Sequence, residues 1–160
     1  MGSIEDYSSG TILGSIRRVV DVLNTVNMQP LDEKTLVRVK EKIRAFEPVC
    51  LSLAEASIFI RNARVLALGE RVCRPLHPGS PSTRSVFLDE LAEAMIRSGL
   101  AEPVTAEDAE SSLDQNPGHP LIISMVSGRH QEICASHQPD CVYWLAEKHG
   151  LHCLKRRLPG

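Results

Sequence analysis

At 160 residues, 42% of them hydrophobic and 24% charged, the chain is long enough to bury a core and too apolar to stay disordered. Its formal net charge of −2 supplies no basic field to draw it to nucleic acid or to an anionic membrane. No run approaches the roughly 20 apolar residues of a bilayer span, and the start lacks the basic-then-apolar pattern of a secretory signal.

Met1-Gly2 opens like a myristoylation site, but Asp6 stands where that motif needs Ser or Thr. Five cysteines, an odd number and widely spaced, read as reduced thiols rather than a disulfide framework. The expected location is therefore intracellular, in cytoplasm or nucleus. Aromatics make up 4% of the chain, so the core should be built from Leu, Ile, Val and Ala.

Residues 1–10, with Ser8-Ser9-Gly10, read as a flexible N-terminus. Ile12, Ile16, Val19, Val20, Leu23 and Val26 recur at helical spacing and give a first amphipathic helix, stopped by Asn27 to Pro30. Asp32 is a good N-cap for a second helix carrying Leu36, Val39, Ile43 and Phe46. The opposite face of that helix, with Lys34, Arg38, Lys40, Lys42 and Arg44 among Glu33 and Glu41, reads as solvated surface rather than a phosphate site. Ser52 and Glu55 form a capping box for a third helix, Leu53 to Leu68, apolar almost all round and ending at Gly69. An alternative ends that helix at Asn62 and places a hairpin over 65–68 and 71–73, turning at Gly69-Glu70.

The stretch from Arg74 to Pro81 holds three prolines and a glycine and marks a loop and subdomain boundary. Ser82 or Thr83 then caps a helix with Val86, Phe87, Leu91, Ala94 and Met95 inward, closed by Gly99-Leu100. Thr105 caps a short acidic helix. Pro120 to Val126 is a continuous apolar run of strand length. Ser127 caps a helix from Arg129 to His137. Pro139 opens another that carries Val142, Tyr143, Leu145 and Ala146 to Gly150. Leu151 to Arg156 is a final strand, and the whole resembles a parallel crossover unit. The fold class expected is α+β: an N-terminal three-helix bundle packed against a smaller C-terminal α/β unit with a short sheet. The divisions are a flexible 1–10, a helical subdomain 11–74 and an α/β subdomain 75–160, together one compact domain.

Four constellations carry chemistry. Cys134, His137, Cys141, His149, His152 and Cys153 offer the thiolate and imidazole that zinc prefers. Their spacing matches no structural zinc pattern, nor, with Cys73, an iron–sulfur run, so buried thiols with surface histidines are the preferred reading. Cys134 and His130, one helical turn apart on the expected helix, lack the third group a nucleophilic pair needs; Cys73, beside Arg71 and Arg74, would have a lowered pKa. Ser127, Gly128, Arg129 and His130, at a strand-to-helix turn, could offer backbone N–H groups to an anion. Lastly, Pro81-Ser82-Thr83-Arg84-Ser85, Leu91 and Gly99-Leu100-Ala101-Glu102 resemble the recognition-helix end of a winged helix over about residues 80–126. That resemblance implies DNA contacts from Ser82, Thr83, Arg84 and Arg97. The basic tail Lys155-Arg156-Arg157 reads as a solvated terminus.

With no catalytic constellation closed and several apolar helix faces, the expected role is a non-catalytic protein-interaction, assembly or regulatory domain. Its partner would be another protein or a second copy, with nucleic acid and membrane disfavoured. A metal-binding domain holding zinc or an iron–sulfur cluster, and a winged-helix module, are the alternatives.

Overall fold

The computed structural model of the chain describes residues 3–25, 32–76, 79–81, 83–139 and 141–156, Arg156 by its backbone only. Helix α1, Ile4–Ser9, forms where a flexible end was expected. Ser3 and Asp6 cap each other reciprocally and Gly10 closes the turn at φ +83°. The polar composition of this segment hid a capping box built on Asp rather than Glu. Helix α2, Ile12–Thr25, buries Ile12, Val19 and Leu23. Helix α3, Glu33–Arg44, starts on Asp32, whose side chain accepts from the Thr35 N–H at 2.8 Å. Val26, the Asn27 to Pro30 stop, Ser82 and Arg157 lie outside the described residues.

Strand β1, Val49–Leu51, follows Pro48, and the Ser52–Glu55 capping box opens α4, Leu53–Asn62. The long buried helix to Leu68 is corrected here: α4 stops at Asn62, and Leu53 and Ile58 are 39% and 62% exposed. The side chain of Asp89 accepts from the Arg64 N–H at 2.7 Å, and the Asp89 N–H bonds to Val65 O at 2.9 Å. The chain is thereby turned into strand β2, Leu66–Glu70. Gly69 lies inside that strand, and a Cβ there would strike the backbone oxygen of Leu100. The glycine lets a neighbouring strand approach and does not stop a helix. Residues 71–73 do not return as a hairpin; β2 pairs instead with β3, Arg84–Leu88, and β4, Ala101–Pro103.

The helix expected from Ser82 or Thr83 is likewise a strand for its first turn. Helix α5, Asp89–Arg97, begins only after β3 and has no side-chain cap. It ends at Gly99, φ +73°, with Leu100 N–H bonding to Met95 O at 2.9 Å. Thr105 caps α6, Ala106–Asp114.

Strand β5, Leu121–Val126, and strand β6, Arg129–Ala135, form a hairpin. Its two loop residues, Ser127 at φ +49° and Gly128 at φ +80°, have the backbone signs of a type I′ turn. The helix expected over Arg129 to His137 is thus a strand. Gln131 and Glu132, polar by type, are both buried. Helix α7, Val142–Lys148, runs to Gly150 as expected. Strand β7, Lys155–Arg156, pairs parallel with β1 and not with β5, so the crossover unit does not form.

The seven strands among the described residues join one sheet in the order β4-β2-β3-β6-β5-β1-β7, antiparallel except for the β1–β7 pair. One face packs Val86, Ile123 and Ile133 against Ala56 and Ile60 of α4 and Ala109 and Leu113 of α6. Over the other, α2, α3 and α7 cover Ile122 and Cys134, while α1 and α5 cover Ala67, Phe87 and Val126. The fold is α+β, in three layers. The helices of the first half are divided between the two faces, and β1 and β2 share a sheet with strands beyond residue 75. None of the helices among the described residues is long and apolar enough to cross a membrane.

Candidate functional site

Strand β6 is the fourth of seven and therefore central. Strand periodicity sends Ile133 and Ala135 toward α4 and α6, and Glu132 and Cys134 toward the opposite helices. Glu132 lies in register between Phe87 on β3 and Ser124 on β5. It is 6% exposed, a position where a charge is costly unless compensated.

The compensation is partial. Tyr7 of α1 donates its hydroxyl to Glu132 Oε1 at 3.4 Å. The Ser85 hydroxyl lies close enough to hold the carboxyl pKa down, but falls short of a hydrogen bond to it. Arg71, 3% exposed, is fixed by its N–H to Thr83 O at 2.9 Å and by Nη2 to Ser80 Oγ at 3.2 Å. Its positive charge also lowers the Glu132 pKa, yet Arg71 Nε and Glu132 Oε2 are both buried without hydrogen-bond partners among the described residues. Burial dominates, and the carboxyl is pushed up to about 7. Tyr143 of α7 completes the wall, its hydroxyl 2.9 Å from Ser124 Oγ and its ring edge-on to Phe46.

These groups border a cavity of about 100 Å³ between the sheet and the helices. Tyr7, Arg71, Glu132, Tyr143 and the thiols of Cys73, Cys134 and Cys141 form its polar side; Ile12, Ile16, Val19, Ile43, Phe46 and Val72 form its apolar side. Two of the thiols, Cys73 and Cys134, are not activated. Burial holds Cys134 well above the usual thiol range and pushes Cys73 up to about 12, outweighing the opposing pull of Arg71. The lowered pKa expected at Cys73 is therefore corrected: the flanking arginines are read from sequence, but desolvation is not.

The other candidate residues are placed apart. His130 Nε2 sits 3.1 Å from Glu47 O, and on a strand it no longer lies one helical turn from Cys134. Ser127 Oγ accepts from the Ile4 N–H at 2.9 Å, and Arg129 faces Asp89 and Glu90 at 3.7 and 3.9 Å. With Gly128 in the hairpin turn, the strand-to-helix anion cradle is not formed, because no helix begins there. Of the six candidate metal ligands, Cys134 is in the cavity wall and Cys141 stands at the start of α7. His137 packs on His119 with ring centroids 5.4 Å apart, and His149 ends α7. His152 pairs with Glu147 at 3.5 Å, while Cys153 points its sulfur to the carbonyls of Lys40 and Leu151. Among the described residues no three His, Cys, Asp or Glu side chains are placed to hold a metal. Thr83 precedes β3, Arg84 lies on it, and Arg97 ends α5. The winged-helix resemblance loses its recognition helix, because its first turn is a strand of the sheet.

Glu132 and Arg71 were missed as a pair. The available signal was Ser127-Gly128 after a strand, a two-residue hairpin turn that makes the next segment a strand and turns Glu132 inward. No family model, curated protein or solved structure matches the chain.

Proposed function

We propose that the chain is a non-catalytic regulatory domain that admits a small molecule to the cavity over β6 and reports its presence through the covering helices to another protein or a second copy. One observation carries this reading: a partly enclosed, largely apolar cavity bordered by a buried donor and a buried acceptor, Arg71 Nε and Glu132 Oε2, both without partners among the described residues. Buried polar groups are nearly always satisfied, and an exception in a native fold calls for an explanation; pockets of this make-up are the usual places for small ligands. Binding is favoured over chemistry because the thiols of Cys73 and Cys134 and the hydroxyls of Tyr7 and Tyr143 all have raised pKa values, which makes them poor nucleophiles at neutral pH. Tyr7 of α1 and Ile16 and Val19 of α2 line the cavity, so an occupant touches the helices that would pass the signal on.

The test is a fragment screen by backbone amide chemical shifts on the whole chain. Shifts should concentrate on Tyr7, Val72, Cys134 and Tyr143, and should vanish in Ile16→Phe, which fills the cavity. Shifts scattered over the surface, or unchanged by Ile16→Phe, would sink the reading.

A further inference from the structure

We infer that the occupant is a small uncharged molecule whose head both donates and accepts hydrogen bonds, an alcohol or a primary carboxamide on a compact apolar body. This deepens the reading given above and rests on it. The unpartnered donor is Arg71 Nε–H and the unpartnered acceptor is Glu132 Oε2, each on a side chain more than nine-tenths buried and bordering the same cavity. Arg71 Nη2 donates to Ser80 Oγ, and Glu132 Oε1 accepts from the Tyr7 hydroxyl, with the Ser85 hydroxyl also beside the carboxyl. A head that accepts from Nε and donates to Oε2 satisfies both at once.

Above about pH 7, where Glu132 is ionised, charge decides against ionic ligands. With Glu132 ionised, the carboxylate and the Arg71 guanidinium balance, so a neutral head leaves the buried site neutral. A carboxylate ligand adds a second negative charge beside Glu132, and an ammonium adds a second positive charge beside Arg71; in a dry cavity either is costly. Lys42, also on the cavity lining, is exposed to water.

Size follows from volume. By proportion with the roughly 150 Å³ cavity that takes benzene, about 100 Å³ holds about four heavy atoms, and the open side of the cavity leaves room for about one or two more. The apolar body would lie against Ile12, Ile16 and Val72, opposite the polar head.

The arrangement has a titration signature. A head that donates to Oε2 stabilises ionised Glu132, because a hydrogen bond to a charged acceptor is the stronger one. Binding should therefore lower the Glu132 pKa from about 7, release protons, and tighten as pH rises through neutrality. The groups facing Glu132 do not obscure this. Tyr7, Tyr143, Cys73 and Cys134 all have raised pKa values and stay protonated, and Arg71 stays charged. Cys141 also lines the cavity.

The experiment titrates isobutanol, isobutyramide, isobutyrate and isobutylamine, with xenon as an apolar probe, into the intact chain at pH 6 and pH 8. It follows lining-residue amides and the carbon-13 signal of the Glu132 carboxyl. At pH 8, the pH at which the four are compared, isobutanol and isobutyramide should bind at least about tenfold more tightly than the acid or the amine. They should also gain about threefold or more in affinity at pH 8 over pH 6 as Glu132 ionises. Glu132→Gln should abolish the pH dependence. Should isobutyrate or isobutylamine bind as well as the neutral probes, should affinity fall with pH, or should xenon alone enter, the inference is overturned while the cavity reading stands. If none of the five enters, xenon included, the cavity reading falls with it.

Discussion

On one side of the sheet, Val86, Ile123 and Ile133 meet Ala56, Ile60, Ala109 and Leu113 in an apolar layer, with the Arg61–Glu110 pair linking α4 and α6. On the other, their strand neighbours Ser85, Ser124, Glu132 and Cys134 face the layer that carries Tyr7, Arg71 and Tyr143. The same strands, with the same period of two, give one dry face and one polar face around a cavity. The dry face can supply stability without specificity, since apolar burial is non-directional. The polar face has the opposite character: its charges cost stability, and its geometry selects what may sit there.

Adjacent residues on β6 test the contrast most strongly. Ile133→Ala, on the dry face and fully buried, should lower unfolding free energy in urea by about 3–4 kcal/mol, because a well-packed site relaxes little around the void. Cys134→Ala, one residue on and facing the cavity, should cost only about 1 kcal/mol, since one lost sulfur enlarges space that already exists. Equal losses at the two positions would erase the distinction between the faces.

Glu132→Gln comes next. Glu132 has its ordinary value of 4.5 in the unfolded chain and about 7 in the folded one. A raised pKa gives stability that is full below 4.5, is lost as pH rises through 7, and is flat above. From the size of that difference the loss is about 3 kcal/mol. Wild-type stability measured against the Glu132→Gln variant should decline by about that amount over this window. A parallel pair of curves would mean the carboxylate is compensated in the folded protein.

Smaller effects sharpen the picture. Tyr143→Phe removes the buried bond to Ser124 and should cost about 1–1.5 kcal/mol, because Ser124 is left unsatisfied. Ser52→Ala breaks the capping box of α4 on the dry side and should cost about 1 kcal/mol. Thermal melts of both variants distinguish them: the first should also perturb the Phe46 and Cys134 signals beside the cavity, the second should not.

Much of the helical content was legible because caps are local. Asp32, Ser52, Thr105, Gly99 and Gly150 each act within a turn of their own helix, and each helix end appears where its cap predicts. The sheet was less legible. Its short strands β1, β4 and β7 have two or three residues each, too few for alternation to register. Polar residues buried by distant partners reverse the usual sign of the pattern. Gln131 is the clearest case: its side chain accepts from Leu91 N–H at 3.0 Å and donates to Val126 O at 2.8 Å, an interior use that its type does not announce. Glu132 follows the same logic, since its partners lie 125 residues away at Tyr7 and across a loop at Arg71. Site residues read from Cys and His spacing were therefore sought on a helix that is a strand.

The outermost strands have a practical consequence. β4 ends in Pro103, which has no N–H to offer, and β7 is the two residues Lys155–Arg156. Short, proline-bearing or cationic margins resist stacking against another sheet. Concentrated solutions of this protein should accordingly be spared fibre-like growth by strand addition, and any pairing of two copies has to run through helical surfaces such as α4, where Ile58 stands open to water.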